Sequence, residues 1–311
     1  MNTLVRLNIS KTIGTGHFRR MQNLVHYMSN HSFLFIVHTD NVTNNLFKNK
    51  NIIFIEDEEE FYEILKIYKY DVVILDFLHY PNDYIKTLTL FTQKPIVSFH
   101  EYKDFSEYSS LTINYNLFDG YKTIELKNKS LLGPDFIIFD DEIVQYSNAI
   151  KENYIFVSFG GADPNGLTKK FIDKIATQHP TIKFKIHIGD FNQSIHEEHD
   201  NVEYLIKPKN LFKDMSKAKM AVTAGGNMMY EFMFLNVPSI VIAHNTHQAE
   251  FARNADNLGL VKYVGLTDSI DVDRINIEIQ RMFDDSKLSK KYLIHNEGKK
   301  LIATAIEELI S

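Results

Sequence analysis

The stretch LVRLNISKTIGTGHFRRMQNLVHYM, residues 4–28, holds the organising pattern of the chain. Residues 4–9 form a short apolar run of the kind that makes a strand. Two glycines, Gly14 and Gly16, follow within a few residues and let the backbone turn. An amphipathic segment then runs from about 17 to 28 and reads as a helix. A strand, a glycine turn and a helix make the first half of a βαβ unit.

The same alternation continues outward. Further strands are expected at 33–38, 52–55, 72–76 and 95–99, and helices near 58–68 and 82–91. The strands are nearly unbroken apolar runs, as expected when helices cover both faces of a parallel sheet. The rhythm loosens between about 115 and 150 and then restarts. Strands at 154–159, 183–188, 202–205, 219–223 and 239–243 alternate with helices at 165–178, 210–216, 227–235 and 247–257. Helical segments near 270–284 and 287–310 close the chain. The reading is an α/β protein of two doubly wound, Rossmann-like domains, 1–145 and 151–311, with the final helix packing back toward the first. Ligands of such sheets bind beyond the carboxyl ends of the strands, so two domains facing a central cleft are expected.

Composition narrows the function. The 311 residues are 44% hydrophobic and 24% charged, an ordinary globular balance. The net charge of −6 argues against a duplex-DNA binder and for no nucleic-acid partner. With no cysteine, disulfides, thiolate zinc sites and a cysteine nucleophile are excluded. The start MNTLVRLNIS is too short in apolar residues for a signal peptide, and no run of about 18 apolar residues exists to span a membrane. A cytoplasmic protein is expected.

Four strand-end turns carry chemistry. Ile13-Gly14-Thr15-Gly16-His17-Phe18-Arg19-Arg20 opens the first helix. It is neither a dinucleotide fingerprint, which needs Gly at 19, nor a P-loop. It is either a tight turn with a surface His or a substrate-facing turn. In the second case His17, in the first helical turn, is held neutral by the helix dipole and suited to general-base work. Ser158-Phe159-Gly160-Gly161-Ala162-Asp163 ends the first strand of the second half; Asp163 reads as a helix cap, or Gly160 and Gly161 lie against a phosphate or sugar. Thr223-Ala224-Gly225-Gly226-Asn227 precedes a helix whose Glu231 either complements the dipole or binds ribose hydroxyls. Ala243-His244-Asn245-Thr246-His247-Gln248 is a solvated loop capped by Thr246 or a substrate edge.

Other features read as surface. His196 and His199 beside Glu197 and Glu198 suit a charged segment better than a metal site. Lys207, Lys209, Lys213, Lys217 and Lys219 form a solvated face or a phosphate-side patch, and the acidic run 56–60 opens a helix. Arg19 and Arg20 read as helix-surface or interdomain residues, with one of them facing a diphosphate as the alternative. No serine-hydrolase elbow occurs, and neither metal nor cofactor is called for.

Taken together, these motifs resemble the UDP-sugar hydrolase family of pseudaminic acid biosynthesis and its spore-coat polysaccharide relatives. That family is similar in fold to the inverting GT-B glycosyltransferase that acts on lipid-linked muramyl peptide. The resemblance runs nearly the whole length. It includes the 13–20 turn, Val73-Ile74-Leu75-Asp76, Leu132-Gly133-Pro134-Asp135-Phe136, Gly160-Gly161-Ala162-Asp163, the 225–231 segment and Asn245. It implies a GT-B enzyme without cofactor, whose partner is a small-molecule nucleotide sugar. UDP would be removed from a 2,4-diacetamido-2,4,6-trideoxyhexose at the anomeric carbon with inversion. It implies His17 as base; Asp76, at the end of a first-domain strand, is read as orienting His17 or binding a sugar hydroxyl. Gly14, Thr15, Gly16, Gly160, Gly161, Tyr80 and Asn245 fall on the sugar side. Gly225, Gly226, Asn227, Glu231 and Leu211 fall on the nucleotide. The family's functional Tyr, two residues after the strand-end Asp, is Leu78 here, with His79 and Tyr80 adjacent. Two other readings stand: an inverting GT-B glycosyltransferase with a hydroxyl acceptor, and a non-catalytic nucleotide-sugar binding protein.

Overall fold

In a computed structural model the described residues are 1–10, 13–39, 51–189, 198–285 and 294–311. Two compact units emerge. The first comprises 1–116, 120–139 and 296–311; the second comprises 117–119 and 140–295.

The first unit is a parallel sheet of β1 (Asn2–Ile9), β2 (Ser32–Thr39), β3 (Ile52–Ile55), β4 (Val72–Asp76), β5 (Ile96–Phe99), β6 (Leu111–Asn114) and β7 (Lys129–Leu132), in the order β3-β2-β1-β4-β5-β6-β7. The order reverses between β1 and β4, so their carboxyl ends form the switch point where such sheets take ligands. Helices α1 (Gly16–Tyr27), α2 (Glu58–Ile67) and α3 (Tyr84–Thr92) cover it together with a terminal helix, Gly298–Ile310. Val5, Leu7 and Ile9 face α1 and the terminal helix, while Leu4 faces α2 and α3. This alternation is the period of two expected of a strand covered on both sides. Arg6 shares the α2 side. Its guanidinium lies 4.8 Å from the Phe77 ring centre and pairs with Glu58. The acidic run at the head of α2 is ordered by capping: Asp57 accepts from the Glu60 amide, and Glu60 reaches back to the Glu56 amide.

The second unit repeats the plan. Its strands are β8 (Glu152–Ser158), β9 (Lys183–Ile188), β10 (Val202–Ile206), β11 (Ala218–Thr223), β12 (Ser239–Ala243) and β13 (Lys262–Leu266), ordered β10-β9-β8-β11-β12-β13 and all parallel. The helices are α4 (Leu167–Lys174), α5 (Leu211–Lys217), α6 (Asn227–Phe234), α7 (Thr246–Asn257) and α8 (Val272–Asp284), and the terminal helix Gly298–Ile310 is α9. The switch point lies between β8 and β11.

Three strands escape the sequence pattern: β6, β7 and β13. Thr112 and Asn114 in β6, Lys129 and Ser130 in β7, and Lys262 and Gly265 in β13 interrupt the apolar run that marks the other strands. The helix expected over 165–178 is shorter, because Ile175 leaves helical geometry (φ −123°, ψ −60°) and a 3-10 turn follows. The start of the last expected helix, 287–293, and the His196–Glu197 pair lie outside the described residues.

Gly298 opens α9, where a Cβ would stand 2.1 Å from the Ile137 carbonyl oxygen. Gly298→Ala is therefore expected to lower stability by about 1–3 kcal/mol despite alanine's better helix propensity. A lower urea midpoint with unchanged slope checks this; an unchanged midpoint refutes so close a contact.

Candidate functional site

The first unit gathers a buried charged cluster at its switch point. The turn before α1 is closed by the Gly14 amide on the Ser10 carbonyl (2.8 Å) and the Ile13 amide on Ser10 Oγ (3.0 Å). Gly14 takes φ +79°, which explains the glycine. Thr15 precedes the helix without capping it through its side chain, and Gly16 is exposed. His17 and Arg20 then fall three apart on one helix face. Both turn to Asp76, the last residue of β4, which is fully buried.

His17 Nδ1 lies 2.7 Å from Asp76 Oδ1. Arg20 grips the same carboxylate in two-point fashion, Nε on Oδ2 at 2.6 Å and Nη2 on Oδ1. Nη1 of Arg20 donates to Glu101 Oε1 (2.6 Å) and to the Tyr115 hydroxyl, while Asn116 Nδ2 donates to Glu101 Oε2 at 3.2 Å. Burial opposes ionisation of Asp76, but the Arg20 charge and then His17 outweigh it and hold the carboxyl at about 2. Burial likewise opposes the Glu101 charge and is overcome by Arg20 and His17, so its pKa is lowered. Burial works against the Arg20 cation, and Asp76, Tyr115 and Glu101 overcome it and raise its pKa.

An ionised Asp76 can only accept. In a neutral ring a proton on Nδ1 therefore faces Asp76 at 2.7 Å and Nε2 carries the lone pair, while Arg20 Nη2 stands 3.1 Å from the same Nδ1. Among the described residues Nε2 has no hydrogen-bond partner. A buried carboxylate thus fixes both tautomer and orientation of a basic nitrogen, the geometry a general base requires.

Arg20 corrects its expected surface role: it is 4% exposed and central to the cluster. Glu101, Tyr115 and Asn116 were missed altogether. They follow β5 and β6, where strand periodicity is weakest. Tyr80, expected on the sugar side, is 5% exposed in the first unit, and its hydroxyl donates to the Leu75 and Phe99 carbonyls (3.0 and 2.7 Å). Leu78 is exposed.

In the second unit, Gly160 (φ +89°) and Gly161 follow β8. Asp163 takes the capping role, accepting from the amides of Leu167 and Thr168 at 2.8 and 2.9 Å. Gly225 and Gly226 follow β11, and Asn227 begins α6. A Cβ on Gly225 would lie 2.8 Å from the Gln248 carbonyl oxygen, so only glycine lets this loop meet α7. α6 has no side-chain N-cap, which leaves its first amides to other partners. Thr223 Oγ1 and His244 Nδ1 are buried without a hydrogen-bond partner. Asn245, and not Thr246, caps α7 by accepting from the Gln248 amide at 2.9 Å. Glu231 lies half-buried on α6, and Leu211 opens α5 behind the Asn210 cap. Of the lysine stretch, Lys217 pairs with Glu152 and Lys219 covers the Phe283 ring, as a solvated face does. Among the described residues there is no cluster of three metal-ligating groups, and no helix is long and apolar enough to cross a membrane.

No family model matches the chain. It is 24% identical over 315 residues to the spore coat polysaccharide biosynthesis protein SpsG of Bacillus subtilis, covering 93% of this chain and 90% of that one. It is 22% identical over 267 residues to the uncharacterized protein MJ1062 of Methanocaldococcus jannaschii, covering 78% of this chain but only 55% of that longer protein. Among solved structures, the spinosyn rhamnosyltransferase SpnG is similar with a TM-score of 0.67 at 12% identity, over 99% of this chain and 96% of that one. The UDP-GlcNAc 2-epimerase of Neisseria meningitidis, bound to UDP-GlcNAc, gives 0.61 at 14% identity, over 99% and 100%. The fold is therefore two parallel-sheet α/β domains of the GT-B kind.

The Asp76 carboxyl stands below its unfolded value of about 3.9, so its contribution is complete above that value and is lost as pH falls toward 2. This amounts to about 2 kcal/mol. Asp76→Asn is expected to be less stable at pH 7, by about 3–5 kcal/mol, because Arg20 stays buried with one partner fewer. Its deficit should shrink between pH 4.5 and 2. Urea unfolding of both proteins across that range checks the sign; a constant deficit would sink the assignment.

Proposed function

We propose that this chain is a GT-B enzyme of polysaccharide biosynthesis that transfers a sugar from a nucleotide donor to a hydroxyl acceptor. The observation that carries the reading is the Asp76-held His17, with its Nδ1 proton fixed and Nε2 left as the basic end, at the first unit's switch point. The name of the Bacillus relative and the folds of the transferase and epimerase support it.

The roles divide by unit. Nε2 of His17 removes the acceptor's proton as its oxygen attacks the anomeric carbon and the nucleoside diphosphate leaves from the opposite face, with inversion. The Arg20, Asp76 and Glu101 set carries one negative charge in excess, which compensates the imidazolium as it forms. Gly14, Thr15 and Gly16 keep the backbone close to the reacting sugar. In the second unit the amides of Gly225, Gly226 and Asn227 meet the diphosphate, with Thr223 Oγ1 as an unused hydroxyl beside them. Glu231 takes the ribose, the 207–211 segment including Leu211 takes the base, and Gly160, Gly161 and Asn245 meet the sugar. Asn245 Oδ1 is occupied in capping, so its amide nitrogen is the end that donates.

Hydrolysis is the second reading, favoured by the motif set from Gly14-Thr15-Gly16-His17 to Asn245. The same base serves water, and the resemblance then points to a UDP-linked diacetamido-trideoxyhexose.

His17→Asn is expected to cut turnover by about 100-fold or more while UDP affinity stays within about twofold. Release of UDP from UDP-sugars, with and without hydroxyl acceptors, measures both. Acceptor-dependent release supports transfer, release in water alone supports hydrolysis, and full activity of the variant removes His17 from the base role.

A further inference from the structure

A second histidine at the same sheet edge is oriented as His17 is. His79 lies three residues beyond Asp76 in the loop leaving β4. Its Nδ1 is 2.8 Å from Asp104 Oδ2, while the side chain is 66% exposed. The other oxygen of Asp104 faces His100 Nδ1 at 3.1 Å, and His100 Nε2 meets Ser98 Oγ at 2.8 Å. Burial opposes the Asp104 charge, but the hydrogen bond and charge of His100 outweigh it, so the carboxylate acts as an acceptor. The proton of a neutral His79 is then on Nδ1, and Nε2 presents a lone pair that no described residue uses.

Two facts separate this from an ordinary surface ion pair. Asp104 is not a free surface carboxylate; it is anchored by a wholly buried imidazole and by the Tyr80 amide (3.4 Å), and the Tyr102 ring stands edge-on to His79 at 5.8 Å. The loop after β5 that carries Asp104 also carries Glu101, the second carboxylate on Arg20. One short segment, 100–104, therefore carries both the carboxylate that meets His79 and the second carboxylate on Arg20. β1, β4 and β5 are parallel neighbours, so His17, His79 and this loop all leave the sheet at its carboxyl edge.

We infer that His79 is a specificity-determining residue, whose Nε2 accepts a hydrogen bond from an O–H or N–H group of the sugar moiety. This rests on the nucleotide-sugar reading above. Asp104 is its positioning partner. The contact selects sugars that offer a donor and has no part in holding the nucleotide.

Calorimetric titration with UDP and with UDP-N-acetylglucosamine tests this on the intact chain. His79→Ala is expected to weaken UDP-N-acetylglucosamine about tenfold and leave UDP unchanged, as for one lost hydrogen bond. His79→Gln, which keeps an acceptor oxygen, recovers part of the loss, and Asp104→Asn shows a smaller loss of the same selectivity. An unchanged thermal midpoint confirms that the exposed His79 variants remain folded. Equal weakening of both ligands, or of neither, overturns the inference and leaves the nucleotide-sugar reading standing. A wild-type protein that binds neither ligand overturns that reading and the inference with it.

Discussion

A guanidinium with almost no access to water cannot stay charged alone. Arg20 is buried beneath the switch point of the first sheet, and the surrounding structure is arranged to answer its charge. Asp76 supplies two oxygens from the end of β4, and Glu101 and Tyr115 supply two more from the exits of β5 and β6. Four elements, α1 included, are thereby locked to one another. His17 inherits its orientation from this lock, because the oxygen it meets is one that Arg20 already holds.

The charge balance of the cluster bears on its chemistry. Two carboxylates face one guanidinium, so a neutral His17 leaves an excess negative charge in a place where solvent cannot screen it. That charge is offset when the ring takes up a proton. Asp76 stays ionised throughout, since its carboxyl is held at about 2. In the second unit, α6 starts without a side-chain cap directly after Gly225 and Gly226.

Much of the frame was legible in the residues alone. The apolar runs of β1, β4 and β8 announce themselves, because most of their positions are buried under helices on both faces. β6, β7 and β13 do not, since polar residues and a glycine break their apolar runs. The glycine turns were legible for a related reason: Gly14 at φ +79° and Gly225 against Gln248 are places where another residue would strain or clash. Helix caps were harder. Asn245 and Thr246 are both good cap residues, and only the hydrogen bond to the Gln248 amide distinguishes them.

The division between sequence and tertiary structure follows from range. Local spacing alone determined the βαβ rhythm, the two doubly wound halves, and the placing of His17 at a helix start and Asp76 at a strand end, since each depends on residues a few positions apart. Tertiary structure decided what those residues touch. His17 and Asp76 are 59 positions apart, and Arg20 and Glu101 are 81. Arg20 reads as an exposed helix residue until the strand ends that neutralise it are brought alongside. Tyr80 reads as a strand-end polar group until the Leu75 and Phe99 carbonyls are seen to occupy its hydroxyl. Charge pairing and hydrogen-bond satisfaction act through space, and neither leaves a period in the sequence.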